Sequence, residues 1–305
     1  MTWQQQLADS ITSPEQLAGH FDINPAPLRA VATRYPLLIT PHYLGLIDQP
    51  GDPIWRQCVP DLSELAVDDL PADSLNEQAY APVPAIVHRY PDRALLLVSG
   101  DCAGYCRFCT RKSRIGTRRL CFSRAEIDEG LAYLSATAEI RDVILTGGDP
   151  LLLNDAYLGE ILDRIHQVDH VEMIRIGSRV PVTLPDRITP QLCRLLSYFQ
   201  PLYLNTHFNH PRELTAESAA ACARLADAGL PLGNQTVLLN GVNDSSGVMI
   251  ALCRGLLKMR VRPYYLHHLD QARGTSHFRV PVERGLEIIA GMRGQVSGLG
   301  IPQYV

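Results

Sequence analysis

The sequence predicts an α/β fold, a partial (βα)6 barrel preceded by an N-terminal helical extension. Beyond Arg93, short apolar runs alternate with amphipathic stretches of helical length. That alternation repeats six times, which suits a partial barrel better than a closed eight-fold one. Glycine and polar residues cluster just after the apolar runs, at the rim where α/β folds build their sites.

In chain order, residues 1–47 read as short helices. Ser13 before Pro14 offers an N-cap with proline at the first helical position, and residues 25–35 repeat the pattern. From 49 to 84, proline and acidic residues break any period, which predicts an irregular wrap on the catalytic unit. The extension and wrap are placed at 1–85 and the barrel at 86–305. Candidate strands are 94–98, 142–145, 172–176, 202–205, 232–239 and 262–266. Helical spacing marks 123–138, 155–167, 190–199, 215–228, 245–259 and 281–296, and right-handed crossovers between them imply a parallel sheet.

Of 305 residues, 46% are apolar and 20% charged, so the chain has the means to build a core. A net charge of −4 argues against a protein devoted to gripping nucleic acid, and no stretch approaches the length of a membrane span. The N-terminus lacks a basic segment followed by an apolar run, so the cytoplasm is the expected compartment. Only two lysines occur, Lys112 and Lys258. That scarcity matters because arginine cannot form a Schiff base.

Three of the eight cysteines fall within eight residues, in Cys102-Ala-Gly-Tyr-Cys106-Arg-Phe-Cys109, directly after the first candidate barrel strand. A loop there gathers three thiolates at the rim and leaves one iron of a 4Fe-4S cluster without a protein ligand, whereas electron carriers saturate all four. A zinc knuckle is the competing reading, but Cys121 stands twelve residues on with no CxxC partner. The remaining cysteines read as ordinary buried thiols in a reducing compartment.

The C-x3-C-x2-C spacing, followed by Asp142-Val-Ile-Leu-Thr-Gly-Gly-Asp-Pro150, resembles the radical S-adenosylmethionine (SAM) enzymes. That resemblance implies that the open iron binds SAM and that Gly147, Gly148 and Asp149 receive its methionine end. A narrower set of blocks is similar to the lysine 2,3-aminomutase family, which includes the aminomutases serving elongation-factor β-lysylation. These blocks are Arg89-Tyr-Pro-Asp-Arg93, Cys109-Thr-Arg-Lys112, Ile176-Gly-Ser-Arg179, Asn205-Thr-His-Phe-Asn-His210, Gly233-Asn-Gln235, Pro263-Tyr-Tyr265 and His277-Phe-Arg279.

Carried over position by position, the resemblance gives Arg111 the substrate carboxylate and Asp270 the distal ammonium of the substrate. It assigns Arg89, Tyr90 and Arg93 to pyridoxal phosphate, and Ser178, Arg179, Asn205, His207 and Gln235 to cofactor binding. Adjacent His267 and His268 point to opposite faces of a strand and are not expected to share a metal.

The implied reaction moves the amino group of L-lysine from C2 to C3 to give β-lysine, uses an external electron donor and allows a homo-oligomeric assembly. An aminomutase for arginine or glutamate is the alternative, as is an iron–sulfur protein that binds SAM without isomerising anything. Family members carry their pyridoxal lysine in a glycine-rich segment beyond the block matching residues 297–302. This sequence stops at Val305, so either it is a truncated form of a longer protein or the coenzyme is expected to be held weakly and amino acids to be isomerised poorly.

Overall fold

The structure, a computed structural model, describes residues 2–66, 69–117 and 120–305. Eight strands form one sheet in the order β1 to β8: Ile86–Tyr90, Arg93–Ser99, Asp142–Gly147, Met173–Gly177, Leu202–Thr206, Leu232–Val237, Arg262–His267 and Gln303–Tyr304. β1 and β2 pair antiparallel as a hairpin, and every later neighbour is parallel. β1 and β8 are the two edges, so the barrel is open.

Strand alternation sorts the side chains into two environments. Leu96, Val143, Leu145, Ile174, Ile176, Leu202, Leu204 and Leu266 are buried in the main core. The register pairs Ile144 with Arg175 and Arg175 with Tyr203, so the opposite face is partly polar. The major helices that cover the sheet are α6 (Arg124–Ala136), α7 (Asp155–His166), α9 (Pro190–Ser197), α10 (Ala216–Asp227), α11 (Ser246–Lys258) and α12 (Val282–Met292). Ser123, Asn154, Thr189, Thr215 and Ser245 cap the first five by accepting a backbone N–H in the first turn. The short α8 (Val180–Thr183) follows β4.

The six alternating units lie where the sequence places them, with β6 ending at Val237 rather than 239. Two strands escape the sequence reading. β1 is the hairpin arm preceding the Pro91-Asp92 turn, and β8 is only two residues long. Residues 49–84 are also less irregular than expected. Asp52 caps α5 (Pro53–Cys58), and single 3-10 turns form at Leu62–Leu65 and Glu77–Tyr80. Asp52-Pro53 is itself a helix-start signal. Before it come α1 (Trp3–Ala8), α2 (Pro14–Ala18, with a Ser13–Gln16 capping box), α3 (Ala26–Arg34) and α4 (Pro41–Leu44). Among the described residues no helix is long and apolar enough to cross a membrane.

Candidate active site

The loop after β2 carries Cys102, Cys106 and Cys109, all free thiols, into a cavity of about 310 Å³ at the C-terminal ends of β3 to β6. Arg111, Gly147, Gly148, Asp149, Ser178, Arg179, Asn205, His207 and Gln235 line the same cavity. Residues spread over more than 130 positions converge because each lies near or beyond the C-terminal end of a strand of one sheet.

Gly147 and Gly148 are fixed by close packing of the chain on itself. Gly147 has φ +119°, and a Cβ there would lie 2.5 Å from the Ser99 carbonyl oxygen; at Gly148 it would lie 2.2 Å from that of Asp101. Asp149 is buried and serves the chain too. It accepts from Ser178 Oγ (2.8 Å) and from the backbone N–H groups of Arg179 (2.7 Å), Val180 (3.2 Å) and Leu151 (3.1 Å), locking the β4 loop. Burial raises its pKa against these four donors. Asp149 and Ser178 thus position neighbours, and their side-chain groups are already engaged.

Arg179 donates from Nη1 to Cys106 Sγ (2.7 Å) and from Nη2 to Tyr43 Oη (3.0 Å), Gln57 Oε1 (2.7 Å) and Glu213 Oε1 (2.8 Å). Among the described residues Asn205 and Gln235 make no side-chain hydrogen bond, and His207 makes one to Asn209. His207 Nε2 is an orphaned buried atom, and burial, with Arg179 and His267 adding to it, holds the ring well below its ordinary pKa and therefore neutral.

Arg111 is likewise held at every nitrogen. Its Nε lies 2.9 and 3.0 Å from the two Glu77 carboxylate oxygens, Nη2 lies 2.5 Å from Oε1, and Nη1 reaches Thr146 Oγ1 and the Gly147 carbonyl, both at 3.2 Å. A second buried network lies behind the cysteines. Arg107 is bidentate to Glu64 (3.0 and 2.5 Å), and Lys112 Nζ donates to Glu64 (2.8 Å) and to the carbonyls of Arg107 (2.7 Å) and Gly274 (2.8 Å). Sequence reasoning missed Tyr43, Gln57, Glu64 and Glu77, which all come from the segment before the sheet. Only their acidic or polar character inside a proline-rich stretch hinted at a role.

Other expected site residues stand elsewhere. Arg89 and Tyr90 are exposed on β1, with Arg89 over the rings of Tyr80 (5.4 Å) and Tyr90 (5.9 Å). Arg93, paired to Asp92 (3.0 Å), lines a larger cavity of about 620 Å³ at the opposite, N-terminal ends of the strands. That cavity is ringed by matched ions such as Arg175–Asp142 (2.5 Å) and shares Asn205 with the cysteine cavity. Asp270 lines neither cavity. Among the described residues its carboxylate has no hydrogen-bond partner, and burial raises its pKa against the pull of His267, His268 and Arg89. His268 turns to Tyr304 (2.9 Å) while His267 packs on Tyr265, so the two point apart as expected.

Residues 96–252 match the family model for the radical SAM superfamily. An L-lysine 2,3-aminomutase from Fusobacterium nucleatum is 46% identical over 309 residues, spanning 99% of this chain and 73% of that protein. The chain belongs to the radical SAM superfamily and to its lysine 2,3-aminomutase family. A glutamate 2,3-aminomutase from Clostridioides difficile is 43% identical over 98% of this chain and 72% of its own length. A radical SAM methyltransferase from Sphaerobacter thermophilus shares the fold, with a TM-score of 0.52 at 20% identity over 72% of this chain and 68% of its own.

The family implies a 4Fe-4S cluster and SAM, and the residues fit both. Among the described residues no three His, Cys, Asp or Glu side chains converge tightly enough for a single metal ion. In a cluster the thiolates bind different irons, so three thiols lining one cavity is the arrangement it needs. Burial and mutual repulsion push the Cys109 thiol up to about 11 and the Cys102 thiol well above its ordinary value, and a cationic centre would favour their ionised forms. The orphaned His207 Nε2, with Asn205 and Gln235 lining the same cavity, offers polar contacts for SAM beside the thiols.

A covalently held pyridoxal phosphate fits this chain's own lysines poorly. Lys112 is buried with three acceptors around Nζ, Lys258 is exposed on α11, and neither lines either of the two cavities described above.

Proposed function

We propose that this chain is a radical SAM aminomutase that moves the amino group of L-lysine from C2 to C3. The placement of three free thiols and the Arg111 fork in one cavity carries the reading, since it puts a cluster beside a carboxylate receptor. Bound there, a reduced cluster supplies the electron that breaks the carbon–sulfur bond of SAM and yields a 5'-deoxyadenosyl radical.

In this reading Cys102, Cys106 and Cys109 hold the irons. Arg179, fixed by Tyr43, Gln57 and Glu213, stabilises negative charge on the Cys106 sulfur. His207, neutral and with a free Nε2, together with Asn205 and Gln235, binds and orients SAM. Gly147 and Gly148 let the β3 loop approach the cysteine loop, and Asp149 with Ser178 keeps the β4 loop in place. Arg111 grips the substrate carboxylate.

Asp270 supports lysine over glutamate, because an unpaired carboxylate favours a cationic side chain and repels an anionic one. Pyridoxal phosphate, an external electron donor, a cytoplasmic location and a homo-oligomeric state belong to the same proposal. Neither Lys112 nor Lys258 is the coenzyme's attachment point.

The test is anaerobic incubation of the reconstituted protein with an equimolar mixture of lysine, arginine and glutamate, read by mass spectrometry for β-isomers. β-Lysine as the dominant product is expected. A dominant β-glutamate or β-arginine would refute the substrate assignment, and deoxyadenosine with no isomer would refute the aminomutase reading.

A further inference from the structure

The segment preceding the sheet delivers one buried carboxylate, Glu77, to two arginines that follow the cysteines. Its side chain is 4% exposed, and it pairs with both Arg111 and Arg114. The 3-10 turn that carries it is tied down on both sides. Gln78 N–H donates to Asp73 Oδ2 (3.1 Å), the Ala72 carbonyl accepts from Ser113 Oγ (3.1 Å), and the Pro71 carbonyl accepts from Arg273 N–H (3.0 Å).

A guanidinium has two edges that can each bind a carboxylate with a pair of N–H groups. Glu77 takes the Nε/Nη2 edge of Arg111. The Nη1/Nη2 edge keeps only the two 3.2 Å contacts to Thr146 and Gly147, both cavity-lining, which a carboxylate can displace. Burial alone would raise the pKa of Glu77, but Arg111 and then Arg114 override it and keep the group ionised. Because one carboxylate is shared by two guanidinium groups, the trio retains one net positive charge to receive an anion.

We propose that Glu77 is a positioning residue for the substrate carboxylate: it fixes Arg111 by its Nε edge and turns the other edge toward the cavity, while Arg114 keeps the trio cationic. The inference deepens the aminomutase reading and rests on its assignment of Arg111 to an amino-acid carboxylate. It brings the segment before the sheet into the substrate site, where a simple wrap would only cover the barrel.

The test compares wild type, Glu77→Gln, Glu77→Asp and Arg114→Gln, each reconstituted anaerobically, for iron content, for kcat and KM with lysine, and for equilibrium binding of lysine and lysinamide by dialysis. Glu77→Gln is expected to keep its iron and to raise KM by about ten- to hundredfold, the range for losing a charge-assisted hydrogen bond, with a smaller change in kcat. Its preference for lysine over lysinamide should collapse, and Glu77→Asp should recover part of it. Arg114→Gln should also raise KM, because Glu77 then neutralises Arg111. If Glu77→Gln fails to fold, Arg114→Gln still tests the charge argument. A preference within about twofold of wild type in iron-loaded variants would overturn the proposal. Should wild type isomerise no amino acid, the aminomutase reading fails by itself while the dialysis comparison still judges Glu77.

Discussion

Replacing Glu64 by glutamine should destabilise the protein more than any exposed charge change. The Glu64 carboxylate is fully buried and neutralises Arg107 and Lys112, whose side chains are 2% and 4% exposed. Removing it leaves two buried cations with a neutral amide between them. Breaking a buried pair in this way costs about 3–5 kcal/mol, a large part of a total stability of about 5–15 kcal/mol. The melting temperature should fall on the order of 10 °C. Denaturant unfolding of wild type and variant, with unchanged slope, measures the loss. A loss below about 1 kcal/mol would show that the cations are solvated otherwise and refute the reasoning.

The pH dependence adds a signed check on the same network. Burial would raise the pKa of Glu64, but Arg107 and then Lys112 hold it below its ordinary 4.5. The unfolded chain therefore protonates first, so this stabilisation is whole above about pH 4.5 and is lost as pH falls through the folded value. Lys112 is also depressed, but because its charged form is the disfavoured one. Burial and the like charge of Arg107 outweigh Glu64 and lower it from 10.5 to about 8. Between those values the unfolded chain binds more protons, so stability rises with pH across that window. In Glu64→Gln the acid component should vanish and the Lys112 window should extend downward.

Three further outcomes follow from the site. Arg111→Lys should lower kcat/KM for lysine by about ten- to hundredfold with iron content retained, since a point charge cannot replace a planar fork; equal activity would remove Arg111 from the site. Asp270→Asn should narrow the preference for lysine over glutamate in mixed-substrate assays, and an unchanged preference would count against a role in reading the distal ammonium. Borohydride reduction with pyridoxal phosphate, followed by peptide mapping, should leave Lys112 and Lys258 unmodified at stoichiometric level. A full adduct on either would contradict their placement outside both cavities.

The parts of this molecule legible in the sequence are those whose signal is local. Six barrel strands and their helices announce themselves by period and by the Ser, Thr and Asn caps before five of the helices. The cysteine spacing names its chemistry within eight residues. What stayed hidden depends on contacts between distant positions. Glu64 and Glu77 look like solvated acids in a broken stretch until folding sets them against Arg107, Lys112, Arg111 and Arg114. Tyr43 and Gln57 meet Arg179 only across more than 120 residues of chain. Asp149 is singled out by the resemblance of its block, but that four donors of the chain hold its oxygens appears only in the fold.

The central claim is that three thiols in one cavity hold a cluster with an open iron. The most direct measurement is metal analysis with electron paramagnetic resonance of the protein prepared without oxygen, before and after adding SAM. One 4Fe-4S cluster per chain is expected, with a reduced-state signal that changes on SAM addition and disappears in Cys102→Ala, Cys106→Ala and Cys109→Ala. Stoichiometric zinc without iron, or a cluster signal indifferent to SAM, would contradict it.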